Sequence, residues 1–372
     1  MTAPASHATP ISFQHVPNPR ARTPEERTAL MADPVFGTVF TDHMATLRWT
    51  PEQGWHDAQI RAREPFQLDP ACAVLHYAQE IFEGLKAYRA PDGGITLFRP
   101  EQNAHRFQMS AERMAMPVVP TDLFLATIEA LIDVDQAWVP TKADGSLYLR
   151  PFMFAAEAFL GVRPASEYIF CVIACPVGAY FKGGMKPVKV WVSDDFSRAG
   201  PGGTGAAKCG GNYAASLVAQ AEAIRHECDQ VVFLDAAEHR WVEELGGMNV
   251  FFVFDDGTLL TPPLSGTILP GITRDSVITL SRAAGRTVVE RPYAMDEWRS
   301  DAASGRLREA FACGTAAVIS AIGEVRGSAG NFTINGAAIG DTTRTLREQL
   351  VAIQRGASND APEGWVRRVA LA

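Results

Sequence analysis

The sequence predicts a mixed α/β protein built from two domains. Three observations carry that expectation. Strand signals and helix signals alternate along the chain without a detectable repeat. A chain of 372 residues is long enough for about two domains. Between Pro176 and Pro187, with Gly178, Gly183 and Gly184, the periodic pattern is interrupted near the middle of the chain.

Residues 1–35 read as an N-terminal extension that is partly disordered. Its first 22 residues are rich in Pro, His and Ala and lack the hydrophobic core of a secretory signal. A smaller domain is expected over 36–177. Within it, 95–98 is a short strand after the Pro91-Asp92-Gly93-Gly94 turn. Pro100 suits the first turn of a helix reaching about Met116, because a missing N–H costs nothing there. Phe124, Ile128, Leu131 and Ile132 recur at helical spacing. Residues 147–154 and 167–175 read as buried strands.

Residues 178–187 are the expected linker, and 188–372 the larger domain. It restarts with a strand at 188–193, a glycine-rich loop, and a helix over 213–226. Strands are expected at 231–235 and 249–254, the second turning at Asp255-Asp256-Gly257 into 258–261 as a hairpin. Ile334-Asn335-Gly336 marks another turn. Asp341 is expected to cap a final helix whose Leu346, Leu350 and Ile353 face inward and which stops at Gly356.

Composition narrows the function. With 47% hydrophobic and 20% charged residues this is ordinary globular material. A net charge of −8 argues against a general nucleic-acid binder. No run approaches the roughly 18 apolar residues of a membrane helix. The six cysteines form no C-x-x-C pair and no His/Cys metal cluster. Free thiols in a reducing cytoplasm, and no bound metal, are expected.

The chemistry concentrates at 200–212, which reads G-P-G-G-T-G-A-A-K-C-G-G-N. Lys208 is a lone amine among small residues, with Tyr213 shortly after. Such an amine can form a Schiff base with a carbonyl cofactor; the plain alternative is a surface loop that carries a lysine. Gly200, Gly202 and Gly205 also match the dinucleotide fingerprint of a nicotinamide-dependent dehydrogenase. That motif needs a strand ending at it and a helix starting within it. Residues 194–199 separate the strand from the first glycine, and Gly210-Gly211 interrupt a helix begun at Gly205. A phosphate-cradling P-loop lacks its Gly-Lys-Ser/Thr ending.

Other segments carry matching chemistry. Ile272-Thr273 follows Leu269-Pro270-Gly271 and opens a helix over 274–284, a place where unpaired N–H groups receive an anion; otherwise Thr273 is simply an N-cap. Gly314-Thr315-Ala316-Ala317 can bring a hydroxyl and backbone N–H groups to the same anion. Arg106 offers a fixed charge, or is a solvated helix arginine. Glu243 and Glu244 alternate along a strand to opposite faces. A carboxylate there can keep a pyridine nitrogen protonated, and periodicity leaves open which of the two is buried.

Seven runs, in order, carry a resemblance. They are Phe36-Gly-Thr-Val-Phe-Thr-Asp-His-Met44, Leu75-His-Tyr-Ala-Gln-Glu-Ile-Phe-Glu-Gly-Leu-Lys-Ala87, Leu97-Phe-Arg-Pro100 and Leu147-Tyr-Leu-Arg-Pro151. Lys208-Cys-Gly-Gly-Asn-Tyr213, Glu244-Leu-Gly-Gly-Met-Asn249 and Ile268-Leu-Pro-Gly-Ile-Thr-Arg274 complete the set. Together they resemble the branched-chain amino acid aminotransferases, pyridoxal-phosphate enzymes of the two-domain fold type IV, which is also the D-amino acid aminotransferase fold.

The resemblance implies that Lys208 is the Schiff-base lysine, Tyr213 the partner of the cofactor's phenolic oxygen, and Glu244 the carboxylate at the pyridine nitrogen. Arg106, Ile272, Thr273 and Thr315 then fall at the cofactor phosphate, and Asn249, Leu269 and Gly271 beside the cofactor. Phe36, Tyr77, Phe82, Tyr148, Arg150, Tyr180, Tyr213, Ala316 and Ala317 fall in the substrate pocket. Tyr148 and Arg150 are two apart on a strand and share a face, so Arg150 is expected to pair the distal carboxylate of glutamate or 2-oxoglutarate.

The implied reaction is ping-pong transamination among L-leucine, L-isoleucine or L-valine, their 2-oxo acids, glutamate and 2-oxoglutarate. It serves biosynthesis or degradation of the branched-chain amino acids. A homodimer is implied, since family members complete each pocket from a neighbouring subunit. D-amino acid aminotransferases and aminodeoxychorismate lyases are the alternatives within the fold. Two departures stand out. The C-x-x-C positions of animal members are Ala317 and Ser320, and the threonine after Glu-x-Gly is Gly247.

Overall fold

The computed structural model describes residues 11–142, 144–178 and 184–371. Tyr180 and half of the expected linker lie outside the described residues. Among the described residues the helices are α1 (Pro24–Met31), α2 (Ala73–Tyr77), α3 (Pro100–Arg113) and α4 (Thr121–Asp135) in the first half. The second half holds α5 (Gly210–Arg225), α6 (Ile272–Ala283), α7 (Met295–Ser304) and α8 (Asp341–Gln354).

Two nine-stranded sheets carry these helices. In the first, Gly54–Ala62, His43–Thr50, Tyr168–Val177, Ser146–Ala155, Leu85–Arg89 and Ile95–Phe98 run side by side and antiparallel. The short Glu80–Phe82 strand pairs with Ser146–Ala155 as well. Alternation on Ser146–Ala155 decides where the pocket lies. Leu147, Leu149 and Met153 are fully buried in the core that also holds Phe107 of α3 and Phe124 of α4. Tyr148, Arg150 and Phe152 therefore turn to the other face, where Tyr148 and Arg150 meet residues of the second half of the chain.

The second sheet mixes directions. Val188–Val192 runs parallel to both Gln230–Leu234 and Val318–Arg326, whereas Leu307–Gly314 is antiparallel to Val318–Arg326 and Asn249–Phe254. A turn at Thr315, Ala316 and Ala317 joins Leu307–Gly314 to Val318–Arg326. Val277, Ile278 and Leu280 of α6 and Leu346, Leu350 and Ile353 of α8 pack with Phe251 and Phe311 of this sheet. Phe98 of the first sheet joins the same cluster, so the two halves share apolar material.

Within the N-terminal extension Gln14–His15 pairs in parallel with Gly54–Ala62, and Thr23 and Glu26 form a reciprocal cap on α1. Three expectations differ from the structure. The C-terminal end returns to the first sheet, where Val366–Arg368 pairs with Ile95–Phe98. The helix after Lys208 begins at Gly210 rather than Tyr213. Its start is fixed by Asn212, which donates to Ala207 O at 2.8 Å, and by a carboxylate from Glu80 on Gly210 N–H. Asp341 does not cap α8 but is its first residue. The backbone N–H groups of Thr342 and Thr343 donate instead to Glu309, at 3.0 and 2.8 Å.

Candidate active site

A cleft between the two sheets collects most of the residues singled out above. Phe36, Phe82, Tyr148, Arg150, Lys208, Tyr213 and Ala316 line it, as do Arg106, Asn249, Leu269, Gly271, Ile272, Thr273 and Thr315. Glu244 does not form part of the wall. It lies buried behind it, close enough to bear on the charge of both Lys208 and Tyr213. Ala317 is buried beside the wall. Tyr77 stands apart on the surface, packed against His76 and Phe159. Gly247 lines the cleft against the Tyr213 ring.

Lys208 is gripped from both sides before its amine enters the cleft. Its N–H donates to Ser110 Oγ of α3 at 2.9 Å, and its carbonyl accepts the Phe82 N–H at 3.0 Å. Nζ donates to Tyr213 Oη at 2.7 Å and stands 4.9 Å from the centre of the Phe82 ring. Burial, reinforced by the Arg106 charge, lowers the amine to about 8. Burial, helped by the Glu244 charge, pushes the Tyr213 hydroxyl up to about 12.

One end of the cleft is built for an anion. Gly271 precedes α6 and provides no side-chain cap, so the N–H groups of the first turn open into the cleft. Thr273 is the second residue of α6, which excludes the N-cap reading. A Cβ at 271 would meet Asn249 Oδ1, so a larger residue there would displace the Asn249 side chain. Asn249 holds the approach by donating to Leu269 O at 3.0 Å. Arg106 completes this end, fixed by a two-pronged bond to Glu83 at 2.7 and 2.9 Å and by donation to Pro270 O at 3.1 Å. Burial would raise the Glu83 carboxyl, but Arg106, with Lys208 and Asn103, outweighs it and the net shift is downward.

Behind the wall lies an acid. Both glutamates are buried, on opposite faces as alternation requires. Glu243 accepts the Thr267 hydroxyl, while Glu244 accepts the Leu269 N–H at 3.3 Å and pairs with Arg198. Burial pushes Glu244 up to about 7, and Arg198 pulls against it. Along the outer wall Arg150 donates to Tyr148 Oη at 2.8 Å, its guanidinium 4.7 Å from the Phe82 ring centre. No carboxylate of the described residues pairs with it directly.

Glu83, Arg198, Ser110 and Lys86 were not singled out from the sequence. Lys86 donates to Ala316 O at 2.7 Å and so fixes the turn that carries Thr315. Glu83 and Lys86 do lie within one of the seven runs. Arg198 and Ser110 have no local signature, since their partners are distant in the chain.

An anion cradle and an amine thus share one cleft, with a buried acid behind its wall. The chain belongs to the amino-transferase class IV family, whose model matches residues 80–325. It is similar to the probable branched-chain-amino-acid aminotransferase of Streptomyces coelicolor, at 53% identity over 355 residues, covering 95% of this chain and 98% of that one. The solved branched-chain amino acid aminotransferase of Escherichia coli matches with a TM-score of 0.72 at 28% identity, over 88% of this chain and 100% of that one. A solved T.th. branched-chain amino acid aminotransferase with pyridoxamine 5'-phosphate also matches with a TM-score of 0.72 at 28% identity, over 88% of this chain and 99% of that one.

Proposed function

We propose that the chain moves the amino group of L-leucine, L-isoleucine or L-valine to 2-oxoglutarate, reversibly, with pyridoxal 5'-phosphate as cofactor. The observation that carries this reading is the company Lys208 keeps: its amine shares one cleft with the α6 anion cradle, and the buried Glu244 carboxylate lies close enough to act on its charge. That donor set fits a phosphorylated pyridine aldehyde: Arg106, Ile272, Thr273 and Thr315 at the phosphate, Tyr213 at the phenolic oxygen, Glu244 toward the ring nitrogen. When bound, this cofactor supplies a carbonyl carbon for amines and a ring that withdraws electrons from the substrate α-carbon.

The chain's own residues supply the rest. An amine titrating near 8 is neutral in a useful fraction of molecules at neutral pH, so Lys208 Nζ can take the α-proton and return it. Tyr213 Oη keeps Nζ in place. Phe36, Phe82 and Tyr148 offer apolar rings to a branched side chain. Arg150 offers a cation to the second carboxylate of glutamate, which would be costly to bury unpaired.

A homodimer is proposed as the minimal unit. Tyr77, away from its own cleft, is an exposed ring packed on Phe159, and Leu75, Leu160 and Val162 are exposed as well, which fits a role at the pocket of a second copy. A cytoplasmic setting is supported by cysteines that are all buried and free. Among the described residues no helix is long and apolar enough to cross a membrane. Turnover of a panel of L- and D-amino donors with 2-oxoglutarate tests the reading. Branched-chain L-donors should lead, and a preference for D-donors would replace it.

A further inference from the structure

Gly84 lines the cleft with Phe82, Tyr148 and Arg150 and has no role in the reading so far. It lies between two strands that both pair with Ser146–Ala155. Phe82 of one faces Phe152, and Leu85 of the other faces Leu149. A single register therefore continues across the gap and sets Gly84 opposite Arg150. Directly opposed residues of an antiparallel pair point to the same face. Position 84 thus points to the face that carries Tyr148 and Arg150, and brings no side chain there. The end of the Tyr148 ring takes up that space: a Cβ on Gly84 would collide with Tyr148 Oη and stand 2.9 Å from the ring carbon that bears it.

Both sides of this contact are held in place. The Glu83 N–H donates to Pro151 O at 2.7 Å, the Gly84 N–H donates to the Glu83 carboxylate at 3.1 Å, and the Gly84 carbonyl accepts from Asn103 at 3.3 Å. Glu83 is itself fully buried against Arg106. Across the contact, the Tyr148 ring packs with Cys175 and Val177 and meets the Phe36 ring edge-on at 5.1 Å. Its hydroxyl accepts the one hydrogen bond that Arg150 makes to a described residue, and Arg150 Nε is buried without a partner. We propose that Gly84 is a positioning residue for acid specificity: the space left by its missing side chain seats the Tyr148 hydroxyl, which aims Arg150 at a distal carboxylate. This rests on the reading of Arg150 as the partner of that carboxylate. A side chain at 84 would push the hydroxyl off its seat and leave the guanidinium without its one hydrogen-bond partner among the described residues.

Calorimetric titration of the holoenzyme with glutarate and with pentanoate, which differ by one carboxylate, tests it. The readout is the ratio of the two Kd values, the preference for the diacid. Tyr148→Phe removes the hydroxyl, and Gly84→Ala displaces it. Each should lower the preference for glutarate about three- to tenfold, the loss expected when one hydrogen bond no longer holds the cation. In the double variant the added methyl group meets no hydroxyl, so the preference should match that of Tyr148→Phe alone within about twofold. If Gly84→Ala alone does not fold, adding Tyr148→Phe should restore folding. An undiminished preference in either single variant, additive losses in the double variant, or a double variant that still does not fold would overturn the proposal. Failure of the underlying reading looks different: Arg150→Gln would then leave the preference unaltered.

Discussion

Arg198 and Glu244 form a salt bridge in which the two side chains are only 5% and 2% exposed. Arg198 also donates to the carbonyls of Gly205 and Thr267, so one guanidinium ties the Lys208 loop to the acid. Removing either partner of such a pair leaves a buried charge without compensation, at a cost of about 3–5 kcal/mol. Arg198→Leu should therefore lower apoprotein stability by about that amount in urea unfolding. Adding Glu244→Gln should restore a large part of it, because the stranded charge is gone. Strictly additive losses would show that the two residues act independently.

Lys208 carries the second prediction. Its folded-state pKa is lowered from 10.5 to about 8, and the neutral amine is the form that attacks a carbonyl. The rate at which pyridoxal phosphate combines with apoprotein should rise with pH and level off above about 8. Stopped-flow absorbance reads this directly. A rise continuing toward 10.5 would mean that the amine is not desolvated.

Arg150 carries the third. A charge-assisted hydrogen bond contributes about 1.5–3 kcal/mol, so Arg150→Gln should weaken kcat/KM for glutamate and 2-oxoglutarate roughly ten- to a hundredfold. Leucine should be affected far less. Equal losses in both half-reactions would assign Arg150 a structural role.

Away from the cleft, His43 Nδ1 bonds Asp135 at 2.7 Å, joining the Gly54–Ala62-paired strand to the end of α4. Asp135, by hydrogen bond and charge, raises His43 above its ordinary value despite burial. A raised histidine contributes stability that is fully present below the unfolded pKa of 6.5 and is lost as pH rises through the folded value. Asp135→Asn should thus destabilise more at pH 6 than at pH 9, measured as the difference in unfolding midpoint. A gap independent of pH would show that His43 is neutral throughout.

Much of this was legible in the sequence where the signal is local. Phe124, Ile128, Leu131 and Ile132 recur at helical spacing and are all fully buried in α4. Lys208, Arg106, Thr273 and Thr315 come from segments that each show a local feature, and they meet in one cleft. What stayed hidden depends on partners far along the chain. Arg198 carries meaning only because Glu244 folds against it. Asp341 looked like a cap because a distant competitor, Glu309, is invisible to local pattern. Gly210 looked like a helix breaker because Glu80 caps it from the other half. Tyr77 follows the family pattern yet lies outside its own cleft.

The assignment of Lys208 is tested most directly by borohydride reduction of the holoenzyme, followed by digestion and mass spectrometry. The holoenzyme should be yellow and lose its visible absorbance on reduction, and the pyridoxyl phosphate adduct should sit on the peptide containing Lys208. Lys208→Ala should show neither the adduct nor transaminase turnover. An adduct on another lysine, or undiminished steady-state turnover by Lys208→Ala, would contradict the assignment.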